Sequence, residues 1–221
     1  MCGRFVSTAG PDRVAAYFDS VMPTEAVADS LGANYNVAPT QDILAVVANA
    51  DGTARVDAFH WGLIPSWAKD RRIGSKMINA RAETLAEKSS FKGLFKKKRC
   101  IIPMDGFYEW EPGVEGGPVN AKGKPLKQPM FIHRVDDRLL TVAGLWTAWK
   151  DPEDPDGRWL HSTTIIIIII QKNRRRMSVA VDIALVHQVL LLVLISQQLQ
   201  QRPSILLQLE RLEISAAAAL F

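Results

Sequence analysis

The sequence predicts an α+β fold in which short strands outnumber helices. Residues 43–48 and 55–61 are strand-like segments that flank the pair Asp51-Gly52, and an Asp-Gly pair favours a hairpin turn. Helical spacing appears earlier, after a turn near residue 10. Four apolar positions of that first helix are expected to face the core: Val14, Tyr17, Phe18 and Val21.

The remaining elements continue this pattern of strands with few helices. A second helix should follow Ser89 and Ser90, whose side chains can cap its first turn, and it should end in a lysine run that suits the helix dipole. Residues 111–128 are rich in Gly, Pro and Lys and are predicted to be a loop. The other strand predictions are a buried strand at 100–103, a strand at 107–110, a hairpin of 130–135 with 139–145, and a long strand at 159–170.

Composition restricts the class of protein. The 221 residues are 48% apolar and 23% charged, which is typical of one large or two small globular domains. Cys2 and Cys100 are too few for a disulfide framework and favour a reducing compartment. The four histidines lack metal-ligand spacing, so we expect neither a metal nor a cofactor. No signal peptide opens the chain, so we expect a cytoplasmic protein that does not associate with a membrane. We also expect it to be a monomer.

Positive charge is concentrated in one part of the chain. Residues 69–99 contain eleven Lys or Arg and three acids, a net charge of +8, whereas the remainder carries −4. Such a segment can follow a phosphate backbone, because each neutralised phosphate releases counterions. The basic run 96–99 taken alone is more often a solvated helix end than a binding surface.

The second residue, Cys2, has a chemistry that no internal residue shares. Removal of Met1 would leave an α-amine and a thiol on adjacent carbons, with pKa values of roughly 8 and 8.5. That pair reacts with an aldehyde, since the amine forms a Schiff base and the thiol then closes a five-membered thiazolidine ring. Ring closure is intramolecular and therefore strongly favoured. The alternative is that Cys2 is simply a small residue beginning a strand.

Three other segments carry candidate functional groups. Trp67 and Trp61 lie beside Gly and Pro just before the basic segment and could stack on unpaired bases. A core position is nevertheless the more common place for a tryptophan. Asn79, Arg81 and Glu83 occupy every second position, so an extended chain would present all three on one side. A hydrogen-bond network within the fold would explain them too.

Glu109 is a carboxylate among aromatic residues. Phe107, Tyr108 and Trp110 surround it in sequence, and a carboxyl group in such a setting can serve as a proton shuttle. If the strand turns its side chain outward, Glu109 is only a surface acid.

Together these segments resemble one family, the SOS response-associated peptidases (SRAP). The resemblance follows the chain in order from residue 1 to about 165, and it depends on seven motifs because each one alone is weak. The motifs are residues 1–5 (MCGRF), 35–39 (YNVAP), 61–67 (WGLIPSW), 78–84 (INARAET), 99–103 (RCIIP), 106–110 (GFYEW) and 143–146 (AGLW).

The resemblance implies a single domain with a β-rich, barrel-like core and flanking helices. It implies binding of single-stranded DNA and a covalent thiazolidine crosslink between an abasic site and the N-terminal cysteine. Loss of Met1 would be the autopeptidase step, and a lyase activity would accompany it. Carried over by motif, the catalytic residues are Cys2, Asn79 and Glu109. The residues that hold DNA are Arg4, Trp67 and Arg81.

The C-terminal quarter departs from the family pattern. We expect the SRAP-like core at 1–165 and a divergent segment at 166–221, which can complete the same domain and is predicted to be helical over 186–212. Residues 174–179 (RRRMSV) stand where the family has a histidine motif. Neither His161 nor His187 falls within that motif, so neither is assigned a role.

Two other function classes fit the same residues. Cys2 could be the nucleophile of a peptidase or amidohydrolase, a reaction that needs an oxyanion hole which the sequence does not identify. A DNA-binding module without catalysis is the third reading, because arginine replaces the family histidine.

Overall fold

The structure, a computed structural model, describes residues 2–24, 27, 31–114, 116–154 and 156–167. Two α-helices, α1 (Pro11–Tyr17) and α2 (Ser89–Lys97), lie within these residues, together with 3-10 helices at Arg71–Lys76 and Ala82–Thr84. The strands are β1 (Phe5–Ser7), β2 (Asn34–Val37), β3 (Asp42–Ala48), β4 (Ala54–Trp61), β5 (Asn79–Arg81), β6 (Arg99–Met104), β7 (Gly106–Glu111), β8 (Gln128–His133), β9 (Leu140–Trp149) and β10 (Leu160–Ile167).

Five strands form a closed β-barrel in the order β4-β3-β6-β9-β10. Parallel pairing of β10 with β4, at Ser162 with His60, joins the two ends of this sheet. Closure leaves no exposed edge within the five strands. The short strand β5 also pairs with β10 in parallel, where Ile165 lies opposite Asn79. This barrel confirms the predicted α+β fold with a β-rich, barrel-like core.

Close packing inside the barrel explains why one strand position is glycine. Gly144 on β9 lies opposite Cys100 on β6 and Ile165 on β10. A Cβ atom at position 144 would come within 2.8 Å of the Cys100 Sγ and 2.9 Å of the Thr164 carbonyl oxygen. A larger side chain would therefore push the strands apart at this level of the barrel.

A second, antiparallel sheet in the order β2-β1-β7-β8 carries the N-terminal segment. Phe5 in β1 is completely buried, and its ring meets the ring of Trp61 edge to face at 5.0 Å between centroids. Trp61 is the last residue of β4, so this contact fixes the N-terminal strand against the end of the barrel at which β4 finishes.

The structure confirms three local predictions, one hairpin and two strands. The β3–β4 hairpin forms as expected, with Gly52 at a φ of 80° in the turn. The buried strand at 100–103 is confirmed as part of β6, and the strand at 107–110 as part of β7.

Three detailed predictions were wrong. The first helix ends at Tyr17, whose side chain is exposed and does not face the core as predicted. Val21 is also exposed and pairs as an isolated bridge with Arg55. No side chain caps α2, whose first residue is Ser89 itself. β8 does not form a hairpin with β9, because β8 completes the four-stranded sheet beside β7 while β9 enters the barrel.

The C-terminal predictions fall largely beyond the described residues. The strand predicted at 159–170 is seen as β10 up to Ile167. The divergent segment from residue 168 onward, including the helix expected at 186–212, the arginine motif at 174–179 and His187, lies outside the residues that the structure describes. Among those that it does describe, no helix is long and apolar enough to cross a membrane.

Candidate active site and its relatives

The N-terminal segment lies beside β7 before it enters the sheet. Antiparallel pairing sets Phe5 opposite Phe107, and the Tyr108 backbone N–H donates to the Arg4 carbonyl at 2.9 Å. The preceding residues therefore run toward the part of β7 that carries Glu109. Cys2, at the start of this segment, is half-buried.

Asn79 connects the N-terminal segment to the barrel. Its Nδ2 donates to the Cys2 carbonyl oxygen at 2.7 Å, a contact between residues far apart in sequence. Pairing of β5 with β10 at Ile165 holds the Asn79 backbone in place. The Asn79 Oδ1 is buried and has no hydrogen-bond partner among the described residues, which makes it a polar atom available to a ligand.

Glu109 acts electrostatically on the Cys2 thiol. Burial and, second, the negative charge of Glu109 raise the pKa of Cys2 to about 12. A thiol with such a pKa is protonated at neutral pH, so it needs a base to accept its proton when it attacks an electrophile. The structure thus brings Cys2, Asn79 and Glu109 together, and a carboxylate near the thiol can supply that base.

Arg4 directly precedes β1, and Arg81 is the last residue of β5. The Arg4 Nη1 donates to the Asn36 Oδ1 at 3.0 Å, so Asn36 orients the guanidinium. Arg81 is exposed and follows Asn79 by two positions in β5, which by strand alternation puts the two on one side. Glu83 does not continue this alternation, because the chain turns into the 3-10 helix Ala82–Thr84.

The two tryptophans of the 61–67 segment have different environments. Trp61 is completely buried, and its Nε1 donates to the Ile78 carbonyl at 3.0 Å, directly before Asn79. Trp67 has 63% of its surface exposed. Trp61 is therefore a core anchor that supports β5, whereas Trp67 has a ring that remains available for stacking.

Sequence reasoning missed the polar network around Asn36. The Tyr108 hydroxyl donates to the Tyr35 carbonyl at 3.2 Å, and the Asn36 backbone N–H donates to the Asn34 Oδ1 at 2.9 Å. These bonds fix the YNVAP segment against β7 and Arg4. The motif at 35–39 is visible in the sequence, but only the fold shows that it supports the N-terminal segment.

His161 lies away from this cluster. It precedes Ile165, the partner of Asn79, by four positions on β10, which corresponds to about 13 Å along the strand. Its ring instead stacks on Phe59 at 5.6 Å between centroids.

Comparison with known proteins identifies the family of this chain. The family model described as SOS response associated peptidase (SRAP) matches residues 1–190. The chain belongs to the SRAP family. A SRAP relative from Bacillus subtilis (strain 168), named abasic site processing protein YoqW, is 43% identical over 168 residues, covering 75% of this chain and 67% of the relative.

More distant SRAP relatives and solved structures also match. Abasic site processing protein HMCES of Xenopus tropicalis is 34% identical over 194 residues, and the match covers 75% of this chain and 57% of HMCES. A crystal structure of a protein from Bacteroides thetaiotaomicron matches with a TM-score of 0.63 and 28% identity, covering 80% of this chain and 75% of that one. The SRAP assignment thus rests on both sequence and fold.

Proposed function

We propose that this protein binds single-stranded DNA and forms a thiazolidine crosslink with abasic sites through Cys2. The observation that carries the proposal is the position of Cys2, whose carbonyl accepts from Asn79 while Glu109 acts on its thiol. The names of the bacterial and vertebrate relatives support the substrate class. Removal of Met1 is the preceding autopeptidase step in this proposal.

The chemistry proceeds in two balanced steps. The free α-amine of Cys2 adds to the aldehyde of the ring-opened sugar, and the carbinolamine loses one water to give a Schiff base. The thiol sulfur then bonds to the same carbon while its proton passes to the nitrogen. Because the folded environment keeps the thiol protonated at neutral pH, Glu109 takes this proton from the sulfur and delivers it to the ring nitrogen.

Asn79 orients the reacting groups in this scheme. Its Nδ2 holds the Cys2 carbonyl, which limits rotation of the residue that carries both amine and thiol. Its buried Oδ1 is free to accept from the α-amine or from a sugar hydroxyl. An open Schiff base could also lead to strand cleavage, so a lyase activity would compete with ring closure.

DNA is held in the proposal by Arg4, Trp67 and Arg81. The arginines offer planar donors to phosphate oxygens, and Arg4 is already oriented by Asn36. The exposed Trp67 ring can stack on an unpaired base, a contact worth about 1–3 kcal/mol. We expect the protein to act as a monomer on DNA in the cytoplasm, associated with the nucleoid if the source is bacterial.

The test uses purified protein and single-stranded oligonucleotides with or without one abasic site. On a denaturing gel, we expect a slower band that requires the abasic site and disappears in Cys2→Ala. A band of equal intensity in Cys2→Ala would exclude Cys2 as the crosslinking residue. Peptide cleavage by wild type without a DNA band would favour the peptidase reading, and salt-sensitive DNA binding alone would favour the module without catalysis.

A further inference from the structure

Charged and aromatic side chains from β4, β9, β10 and the residue after α2 meet near the end of the barrel where β6 and β10 begin. The Lys98 Nζ lies 3.9 Å from the centroid of the Trp146 ring. The His161 ring lies 5.7 Å from the Trp146 ring and stacks on Phe59. Trp146 is held by its backbone N–H, which donates to the Lys98 carbonyl at 2.9 Å.

Positive charge exceeds negative charge at this place. Arg55 forms an ion pair with Asp57, and the His161 Nδ1 lies 3.9 Å from the same Asp57 carboxylate. Burial and the charges of Arg55 and Lys98 lower the pKa of His161, while Asp57 opposes them. The Asp57 carboxylate therefore contacts Arg55 and His161, while Lys98 adds a further positive charge close enough to act on His161.

The lysine run adds to this charge. Lys96 and Lys97 are exposed in the last turn of α2, immediately before Lys98. We name the set Arg55, Lys96, Lys97, Lys98 and His161 the basic mouth. Its members come from β4, β10 and the end of α2, so the fold assembles a basic surface that the lysine run alone did not establish.

We propose that the basic mouth is a second DNA contact, which binds backbone phosphates of the strand outside the lesion. The identity of the polyanion rests on the proposed function. Lys and Arg side chains release condensed counterions from DNA when they neutralise its phosphates. The Trp146 ring restrains Lys98 for this contact.

The geometry predicts that only a longer strand uses both contacts. His161 stands about 13 Å along β10 from the residue that pairs with Asn79. A DNA strand captured at Cys2 must therefore continue beyond the lesion before its phosphates reach the basic mouth. Affinity should depend on oligonucleotide length more strongly than the Cys2 cluster alone would require.

The test compares two triple variants in a Cys2→Ala background, on undamaged single-stranded DNA. One variant replaces Lys96, Lys97 and Lys98 by Gln. Its control replaces Lys122, Lys124 and Lys127 by Gln, which removes the same charge from exposed positions of the 112–127 loop. Binding is measured against salt concentration with oligonucleotides of about 5 and about 20 nucleotides.

With the longer oligonucleotide, the slope of log K against log salt should fall by about 2 in the first variant, because three phosphate contacts are lost. The control should keep the slope of the parent protein, and the effect should shrink with the short oligonucleotide. Equal changes in both variants, or no change in the first, would overturn the proposal.

A second readout follows His161 directly. In an NMR titration, the longer oligonucleotide should raise the pKa of His161, since phosphates offset the charges of Arg55 and Lys98. The resonance is assigned by its loss in His161→Gln, and an unmoved titration midpoint would count against the proposal. Because neither measurement involves crosslinking, the basic mouth can be supported even if wild type fails to form a covalent adduct.

Discussion

The two cysteines of this protein have similarly raised pKa values but lie among different neighbouring groups. Burial raises the pKa of both Cys2 and Cys100 to about 12. Cys100 is inside the barrel, where its Sγ lies 3.2 Å from the Thr163 Oγ1. Cys2 is half-buried in the segment before β1, where Asn79 donates to its carbonyl and Glu109 is close enough to act on its thiol. A raised pKa therefore does not distinguish the two thiols. In the proposed function, the neighbouring carboxylate and access to substrate make Cys2 the reactive one.

The largest effect on the crosslinking rate, among changes that test this difference between the cysteines, is expected from removing the Glu109 carboxylate. Glu109→Gln should slow crosslinking by about 10²- to 10⁴-fold, which is the usual contribution of a general acid–base group. Binding of undamaged DNA should change little, because the amide keeps the shape of the side chain. The measurement is single-turnover adduct formation set beside a binding isotherm.

A parallel loss of rate and affinity in Glu109→Gln would mean that Glu109 supports the fold or the DNA surface, and the distinction between the two cysteines would lose its chemical basis.

A smaller effect is expected from Asn79→Ala. Loss of one hydrogen bond to the Cys2 carbonyl costs about 1 kcal/mol, so the crosslinking rate should fall roughly fivefold. Asn36→Ala is a suitable control, since it frees Arg4 and should weaken DNA binding without slowing the bound complex. An Asn79→Ala protein that crosslinks at the wild-type rate would show that this contact only joins two strands.

The smallest effect concerns stability and tests Cys100. The folded state raises the pKa of its thiol from 9.0 to about 12, so the neutral thiol is favoured and stability is intact below pH 9. Between pH 9 and 12 the unfolded chain loses the proton first, and stability falls. At pH 10 wild type should lose about 1.4 kcal/mol more than Cys100→Val, relative to pH 8.

Denaturant unfolding at the two pH values measures that difference. Identical pH dependence in wild type and Cys100→Val would show that the Cys100 thiol is not desolvated as the structure has it.

Sequence patterns predicted the parts of this fold that depend on nearby residues. The β3–β4 hairpin follows from Asp51-Gly52, because two residues set the turn. The pairing of β8 could not be predicted, since its choice of β7 over β9 depends on distant strands. Val21 was wrongly placed in a helix core for a similar reason, because tertiary pairing with Arg55 prevailed over helical spacing.

The site shows the same division. Cys2 could be predicted from the chemistry of a terminal amine and thiol, and Glu109 from its aromatic neighbours in the sequence. The contact between Asn79 and Cys2 spans most of the N-terminal half of the chain, and only closure of the barrel beside β5 brings these residues together. The basic mouth could be predicted only as a lysine run, because Arg55 and His161 join it through the register of β4 and β10.

Counting free thiols in the purified adduct tests the central claim most directly. The chain has only two cysteines, so denaturation and alkylation with iodoacetamide report how many sulfurs remain free. A thiazolidine consumes the Cys2 sulfur, and the intact mass should lack Met1 and carry one alkyl group, on Cys100. Two alkyl groups on the adduct would show an open amine linkage and would contradict ring closure by Cys2.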